Sequence, residues 1–342
     1  MLGIGRQFDL AGHMKRREFI AGLGVTAAWP MVARAQQPGQ MRRVGILMGL
    51  PESDPDVPPR IAAFREGLRK LGWTEGVNIQ LEFRWAPGDG ARARAFAAEL
   101  VSLKPDAIVA QSTYIATALQ RTTDTIPIIF VQVVDPVGAK LVNSFSQPGG
   151  NITGFTNYEI SLSGKWISLL RDIEPEIERI GVMYDPDTLP VYGLYTDHLK
   201  VIGPKLGTDV ISSPFRNAAE LEPIIRAFAG NPKSGLLVLP DVTTSKNRTT
   251  IIEAAAKYRL PSIYSYAHFP KDGGLMSYGV DPVDLFAKSA AYVDRILRGA
   301  KPAELPVQAP TQFQLVINRN TATSLGLAIP QTLLAEADEV IE

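Results

Sequence analysis

Hydroxyls, carboxylates and phenols stand directly after short apolar runs at several points in this sequence, and that is where its chemistry lies. Glu52, Ser53 and Asp54 follow the run Arg43–Leu50 (RVGILMGL), Ser112 and Thr113 follow Asp106–Gln111 (DAIVAQ), and Asp135 follows Pro127–Val134 (PIIFVQVV). Further along, Tyr184 and Asp185 close the run RIGVMYD, Asp241 and Thr243 follow GLLVLP, and Tyr266 follows Pro261–Ser265. Hydroxyls combined with the N–H groups of a helix N-terminus suit a ligand carboxylate. A carboxylate such as Asp135, Asp185 or Asp241 suits an ammonium group. Tyr184 and Tyr266, with Tyr114 and Tyr192, suit an apolar or aromatic body. These groups hold a small molecule rather than break bonds. The same residue types are preferred at N-caps and turns for structural reasons, and the pair Asp135-Pro136 reads equally well as a helix opening.

Motifs for catalysis are missing. The sequence has no cysteine, which removes disulfides, thiolate metal sites and cysteine nucleophiles together. Its three histidines (His13, His198 and His268) have no metal-ligand spacing, and no Gly-x-Ser-x-Gly elbow occurs. Gly88-Asp89-Gly90 matches neither the P-loop nor the dinucleotide fingerprint and reads as a turn. No cofactor is expected. Charge is balanced, with 35 basic and 35 acidic residues. Residues 1–35 hold five of the basic and two of the acidic groups, so the remainder carries 30 against 33. No basic field remains to hold nucleic acid or an anionic membrane.

The elements that must position these residues alternate regularly. From residue 43 to 134 the order is βαβαβαβ: the strands named above, a strand over Val77–Trp85, and helices over Pro59–Leu71, Ala91–Leu103 and Tyr114–Arg121. Such alternation marks a parallel sheet covered on both faces. The segment Gln147–Asn157 (QPGGNITGFTN) breaks the rhythm as a turn-rich connection. A second cycle of helices and strands then runs from Leu162 to Ser265. The tail adds a strand over Gly274–Tyr278, a helix over Pro282–Leu297 and a strand over Gln312–Asn318. One extra β-α unit and one extra strand let the chain return to the first lobe and cross again. The fold class expected is therefore α/β, with two Rossmann-like lobes and three hinge crossings. The lobes are drawn as 41–155 plus 274–303 and 156–273 plus 304–342, with a cleft where strand ends face each other. One hinge suffices and no coiled-coil seam occurs, so a monomer is expected.

The N-terminus carries its own pattern. Lys15-Arg16-Arg17-Glu18-Phe19-Ile20 is a twin-arginine motif followed by an apolar run that ends at Ala33-Arg34-Ala35, a small-x-small cleavage pattern. Residues 1–35 are read as a twin-arginine signal peptide and a periplasmic destination is expected. Met14 directly precedes the basic region, so residues 1–13 are consistent with a start assigned too far upstream.

Several phrases together resemble a known family. They are Asp135-Pro136-Val137-Gly138, Gln147-Pro148-Gly149-Gly150-Asn151-Ile152-Thr153-Gly154, Gly273–Gly279 (GGLMSYG), Ala291–Leu297 (AYVDRIL), Phe313–Asn318 (FQLVIN) and Ala337–Ile341 (ADEVI). In this order they resemble the ABC-transporter substrate-binding proteins related to tryptophan/tyrosine-binding lipoproteins, over essentially Met41 to Glu342. The resemblance implies a type I periplasmic-binding-protein fold, a small-molecule ligand (an amino acid or aromatic compound) captured by hinge closure, and an ABC permease in the inner membrane as partner. The chain departs from the lipoproteins in lacking the anchoring cysteine. A sensor signalling to a membrane receptor, or a secreted α/β enzyme, are the competing readings.

Overall fold

Short runs of Val, Ile and Leu alternate with amphipathic helices throughout the computed structural model, which describes residues 41–342 apart from residues 158, 160 and 190. The first lobe is built from β1 (Arg42–Met48), α1 (Val57–Lys70), β2 (Ile79–Trp85), α2 (Gly90–Ser102), β3 (Ala107–Gln111), α3 (Thr113–Gln120), β4 (Ile128–Val133) and β5 (Ile152–Thr156). Its five strands pair in the order β2-β1-β3-β4-β5, all parallel. Strands β3, β4 and β5 are buried along their whole length, as expected of a parallel sheet sandwiched by helices.

The second lobe opens with α4 (Ser161–Ile173), β6 (Arg179–Tyr184), α5 (Tyr192–Ile202), β7 (Asp209–Pro214), α6 (Ala218–Ala229) and β8 (Ser234–Val238). It continues with α7 (Val242–Lys246), α8 (Arg248–Lys257), β9 (Ser262–Tyr264), α9 (His268–Lys271) and β10 (Met276–Gly279). Helix α10 (Pro282–Leu297) then returns to the first lobe, where Phe286, Ala290, Val293 and Leu297 join the core that holds Phe64 and Leu68 of α1. The two helices touch where α1 has no side chain: a Cβ on Gly67 would lie 2.7 Å from that of Ala290. Trp73 Nε1 donates to Asp294 at 2.8 Å and fastens the end of α1 to α10.

Residue Gln308 runs beside β5, accepting from the Thr156 N–H and donating to the Gly154 carbonyl, both at 2.9 Å. The chain then crosses a third time into β11 (Gln314–Asn318), α11 (Arg319–Leu325), α12 (Gln331–Glu336) and β12 (Glu339–Ile341). The second sheet has the order β12-β11-β10-β9-β8-β6-β7, parallel except where β11 meets β10. The α/β class with two lobes, parallel sheets and three passages between them matches the expectation from the sequence.

Two elements differ from that expectation. The segment 147–157, read as a connection, contains the buried strand β5. Its Gly154 marks close pairing rather than a turn, because a Cβ there would collide with the backbone of Phe130 in β4. The strand placed at Gly274–Tyr278 in the first lobe instead pairs with β9 and β11, so the return to the first lobe begins after Gly279. Nothing in a four-residue apolar run says which of two sheets it joins. The segment Met1–Gln40, with the twin-arginine motif and the cleavage pattern, lies outside the described residues.

Candidate ligand-binding cleft

The carboxyl ends of β3 and β4 in the first lobe face those of β8 and β9 in the second. Between them lies a cavity lined by Leu50, Arg60, Gln111, Ser112, Thr113, Gln132 and Val134 on one side and Thr188, Leu189, Pro240, Asp241, Val242, Ser245 and Tyr266 on the other. Part of it is open to solvent. Nine polar side chains converge on it beside five apolar ones, a lining that fits a small ligand with several hydrogen-bonding groups and an apolar part.

On the first-lobe side the backbone is bent to present polar groups. Ser112, the residue before α3, has φ +89° and ψ +161°, a region that non-glycine residues rarely occupy. Its hydroxyl does not cap the helix and has no hydrogen-bond partner, although the residue is buried. The first N–H groups of α3 have no partner within the helix, so hydroxyl and amides together form an anion-accepting corner. Gln132 also has a positive φ (+61°), at an irregularity in the β4–β5 register. Its Oε1 accepts from Arg60 Nη1 at 3.2 Å and from Gln111 Nε2 at 3.1 Å, while its Nε2 donates to the Tyr266 hydroxyl at 3.2 Å. Arg60 is a buried guanidinium whose nearest carboxylate oxygen, on Asp56, is 3.7 Å away. Burial holds its pKa below the ordinary arginine value.

The second-lobe side centres on Asp241. One carboxylate oxygen accepts from the Thr188 hydroxyl at 2.6 Å and the Thr243 N–H at 2.7 Å; the other accepts from the Asp185 N–H at 2.9 Å. Each carboxylate oxygen offers about two acceptor positions, so one position on the second oxygen is left. Burial pushes the Asp241 pKa up to about 7 against the pull of these hydrogen bonds. A cation brought to that oxygen stabilises the ionised form. Tyr266 closes the wall, its hydroxyl accepting from Asn157 Nδ2 at 2.7 Å, and burial raises its pKa too.

The residues singled out in the sequence divide into three groups. Ser112, Thr113, Asp241 and Tyr266 line the cavity. Asp185 and Thr243 stand behind Asp241 and orient it. The others lie elsewhere. Glu52 and Ser53 are exposed. Asp54 is buried in an ion pair with Arg248. Asp135 accepts from the Gly138 N–H at 2.8 Å, so the pair Asp135-Pro136 opens a turn rather than a helix. Tyr184 packs in the second-lobe core, stacked on Tyr192 and bonded to Ser212. None of these lines the cavity: a position after a strand puts a residue at the right edge but does not say whether the chain turns it inward.

Arg60, Gln111, Gln132 and Thr188 were missed. Arg60 shares the buried face of α1 with Val57, Phe64 and Leu68, so a charge inside an apolar stripe was its signal. Gln111 and Gln132 are amides inside otherwise apolar strands. Among the described residues no group of carboxylates and histidines is placed to hold a metal, and no helix is long and apolar enough to cross a membrane.

Comparison with known proteins adds a family match and similar chains. A model of the "ABC transporter substrate binding protein" family matches residues 53–341. A tyrosine-binding protein of Clostridioides difficile is 29% identical over 265 residues, 77% of this chain and 75% of the relative. The crystal structure of an ABC domain from Streptococcus pneumoniae in complex with L-Trp superposes with TM-score 0.81 at 25% identity, covering 88% of this chain and all of that one. The ligand-free, open structure of a substrate-binding protein with adhesive properties from Clostridium difficile gives 0.66 at 26% identity, covering 88% of this chain and 99% of that one.

Proposed function

The chain belongs to the ABC transporter substrate-binding protein family, and we propose that it captures a free amino acid outside the cytoplasmic membrane and hands it to an ABC permease. The family and fold are those of binding proteins rather than enzymes. The observation that carries the ligand class is the opposition of two poles across one cavity. The Ser112 hydroxyl, the start of α3 and Arg60 suit a carboxylate, and the remaining acceptor position of Asp241 suits an ammonium. An α-amino acid carries both groups on one carbon. Leu50, Val134, Leu189, Pro240 and Val242 then surround an apolar side chain, in keeping with the tyrosine and L-Trp named for the two relatives.

Binding proceeds by closure. At nearly equal identity and coverage this chain superposes better on the L-Trp complex than on the open, ligand-free relative, which supports a closed arrangement of the lobes. Ligand bound by both lobes favours that arrangement over the open one through its differential contacts. The twin-arginine pattern of residues 15–20 assigns export to the twin-arginine route and a periplasmic site of action.

A thermal-shift screen of the chain from Gln36 onward tests the ligand class, with L-Trp, L-Tyr, L-Leu, tryptamine, indole-3-propionate, glucose and uridine. A ligand at about a hundred times its Kd adds about 2.7 kcal/mol of stability. One or more of the amino acids shifts the melting temperature while tryptamine and indole-3-propionate, each lacking one pole, do not. A shift by glucose or uridine with none by any amino acid overturns the assignment.

A further inference from the structure

Outside the cavity the lobes are joined directly by charged side chains. Asp54, in the loop after β1, meets Arg248 at the start of α8, with Nη1 to Oδ2 at 2.9 Å; the side chains are only 4% and 9% exposed, respectively. Arg248 is fixed within its own lobe: its Nε donates to Asp272 at 2.6 Å and its Nη1 to the Ser245 carbonyl at 3.1 Å. Two residues further on, Asp56 stands 2.7 Å from Nδ1 of His268, again across the lobes.

We propose that Asp54 and Arg248 form a closure clamp: positioning residues that touch no ligand but set the balance between open and closed lobes, and so scale the affinity for every ligand. The proposal rests on the capture-by-closure reading above. Neither residue lines the cavity, yet both are buried, and a buried charge is stable only while it is paired. Because Arg248 is held by Asp272 and Ser245, its guanidinium is in place before the lobes meet, and closing adds the Asp54 carboxylate to a preformed site. Opening takes that partner away. Ser245 connects the two functions, since it lines the ligand cavity while its carbonyl anchors the clamp. Apparent affinity equals the intrinsic affinity of the closed form multiplied by the fraction closed. A residue acting only on that fraction changes all ligands by one factor, whereas a residue in the cavity discriminates among them.

The experiment compares Asp54→Asn and Arg248→Gln with the unaltered protein and with Lys257→Gln, which breaks an exposed ion pair inside one lobe. Calorimetry gives Kd for two probes, L-Trp and L-Leu. The interlobe distance is read from a dye pair on cysteines introduced one per lobe, the chain having none of its own. Both clamp variants should weaken both probes by the same factor, between about 5-fold and about 150-fold, the range of ordinary coupling between sites. The distance without ligand should lengthen while the saturated distance stays put, and Lys257→Gln should change neither. Kd values within twofold of the unaltered protein and an unchanged distance overturn the clamp. Loss confined to one probe overturns it as well, because it places the pair in the ligand site. If neither probe binds the unaltered protein, the ligand assignment fails, and the unliganded distance alone decides the clamp. Should a truncated variant not fold, Arg248→Lys keeps the charge but not the double anchorage, and a longer unliganded distance is expected there too.

Discussion

Asp241 makes the ligand assignment measurable through pH. Burial raises its pKa to about 7, and the ammonium of the proposed ligand would need the ionised carboxylate. With that value the ionised fraction falls from about nine-tenths at pH 8 to about one-tenth at pH 6 and about one-hundredth at pH 5. Apparent Kd for an amino acid should therefore rise about tenfold from pH 8 to pH 6 and about a hundredfold by pH 5. Asp241→Asn removes the titration: affinity is low throughout and nearly flat with pH. Stability of the unliganded protein moves the other way. A carboxylate whose folded value lies above the unfolded value of 3.8 contributes stability that is fully present below pH 3.8 and lost as pH rises through about 7. His268, held below its ordinary 6.5 by burial, works in the opposite sense as pH falls through 6.5, so the melting temperature is compared between the unaltered protein and Asp241→Asn. Acidification from pH 8 to pH 6 should raise the first relative to the second while weakening ligand binding. Calorimetry at five pH values and matched thermal melts decide the matter. A Kd constant across the range, or the same slope in Asp241→Asn, refutes the assignment of Asp241 to the ammonium.

Other substitutions separate binding from folding. Ser112→Ala and Ser112→Gly both remove the unpartnered hydroxyl and should weaken an amino-acid ligand by about tenfold or more, the worth of a hydrogen bond to a charged group. Ser112→Gly alone also relieves the positive φ and should be more stable than Ser112→Ala by about 1–3 kcal/mol, and so melt higher; equal melting temperatures argue that the site stores no strain. Arg60→Met should abolish binding and also lower stability, because Gln132 Oε1 and the Asp56 carboxylate lose the guanidinium they face; retained affinity in calorimetry removes Arg60 from the carboxylate pole. Asp135→Ala should cost only the turn bond to Gly138, about 1 kcal/mol, with Kd unchanged.

The legible part of the fold followed from periodicity, which is local. The alternation of apolar runs with 3.6-period helices placed two parallel sheets and the long helix Pro282–Leu297, whose bounds agree with the structure. The strand Ile152–Thr156 was hidden because its Gly154 is there for contact with a neighbouring strand, and a close approach between strands leaves the same letter in the sequence as a turn. Membership of Met276–Gly279 in the second sheet rests on partners in β9 and β11, which lie before and after it in the chain.

The site divides along the same line. The rule that ligands meet the carboxyl ends of parallel strands placed Ser112, Thr113, Asp241 and Tyr266 at the cavity, because it depends only on where each strand stops. Asp54 lies off the cavity for a reason that is itself informative. Asp54 stands at the correct edge, but 194 positions later in the chain Arg248 meets it across the lobes, and a carboxylate so engaged no longer points at solvent or ligand. A strand end therefore selects residues for the edge of the cleft, and the opposite lobe decides which of them line the cavity and which pair across it. If the protein captures its ligand by closing, as proposed, both assignments are functional, so Asp54→Asn and Asp241→Asn should each weaken binding. The first should do so by one factor for every ligand, and the second selectively for ligands that carry an ammonium.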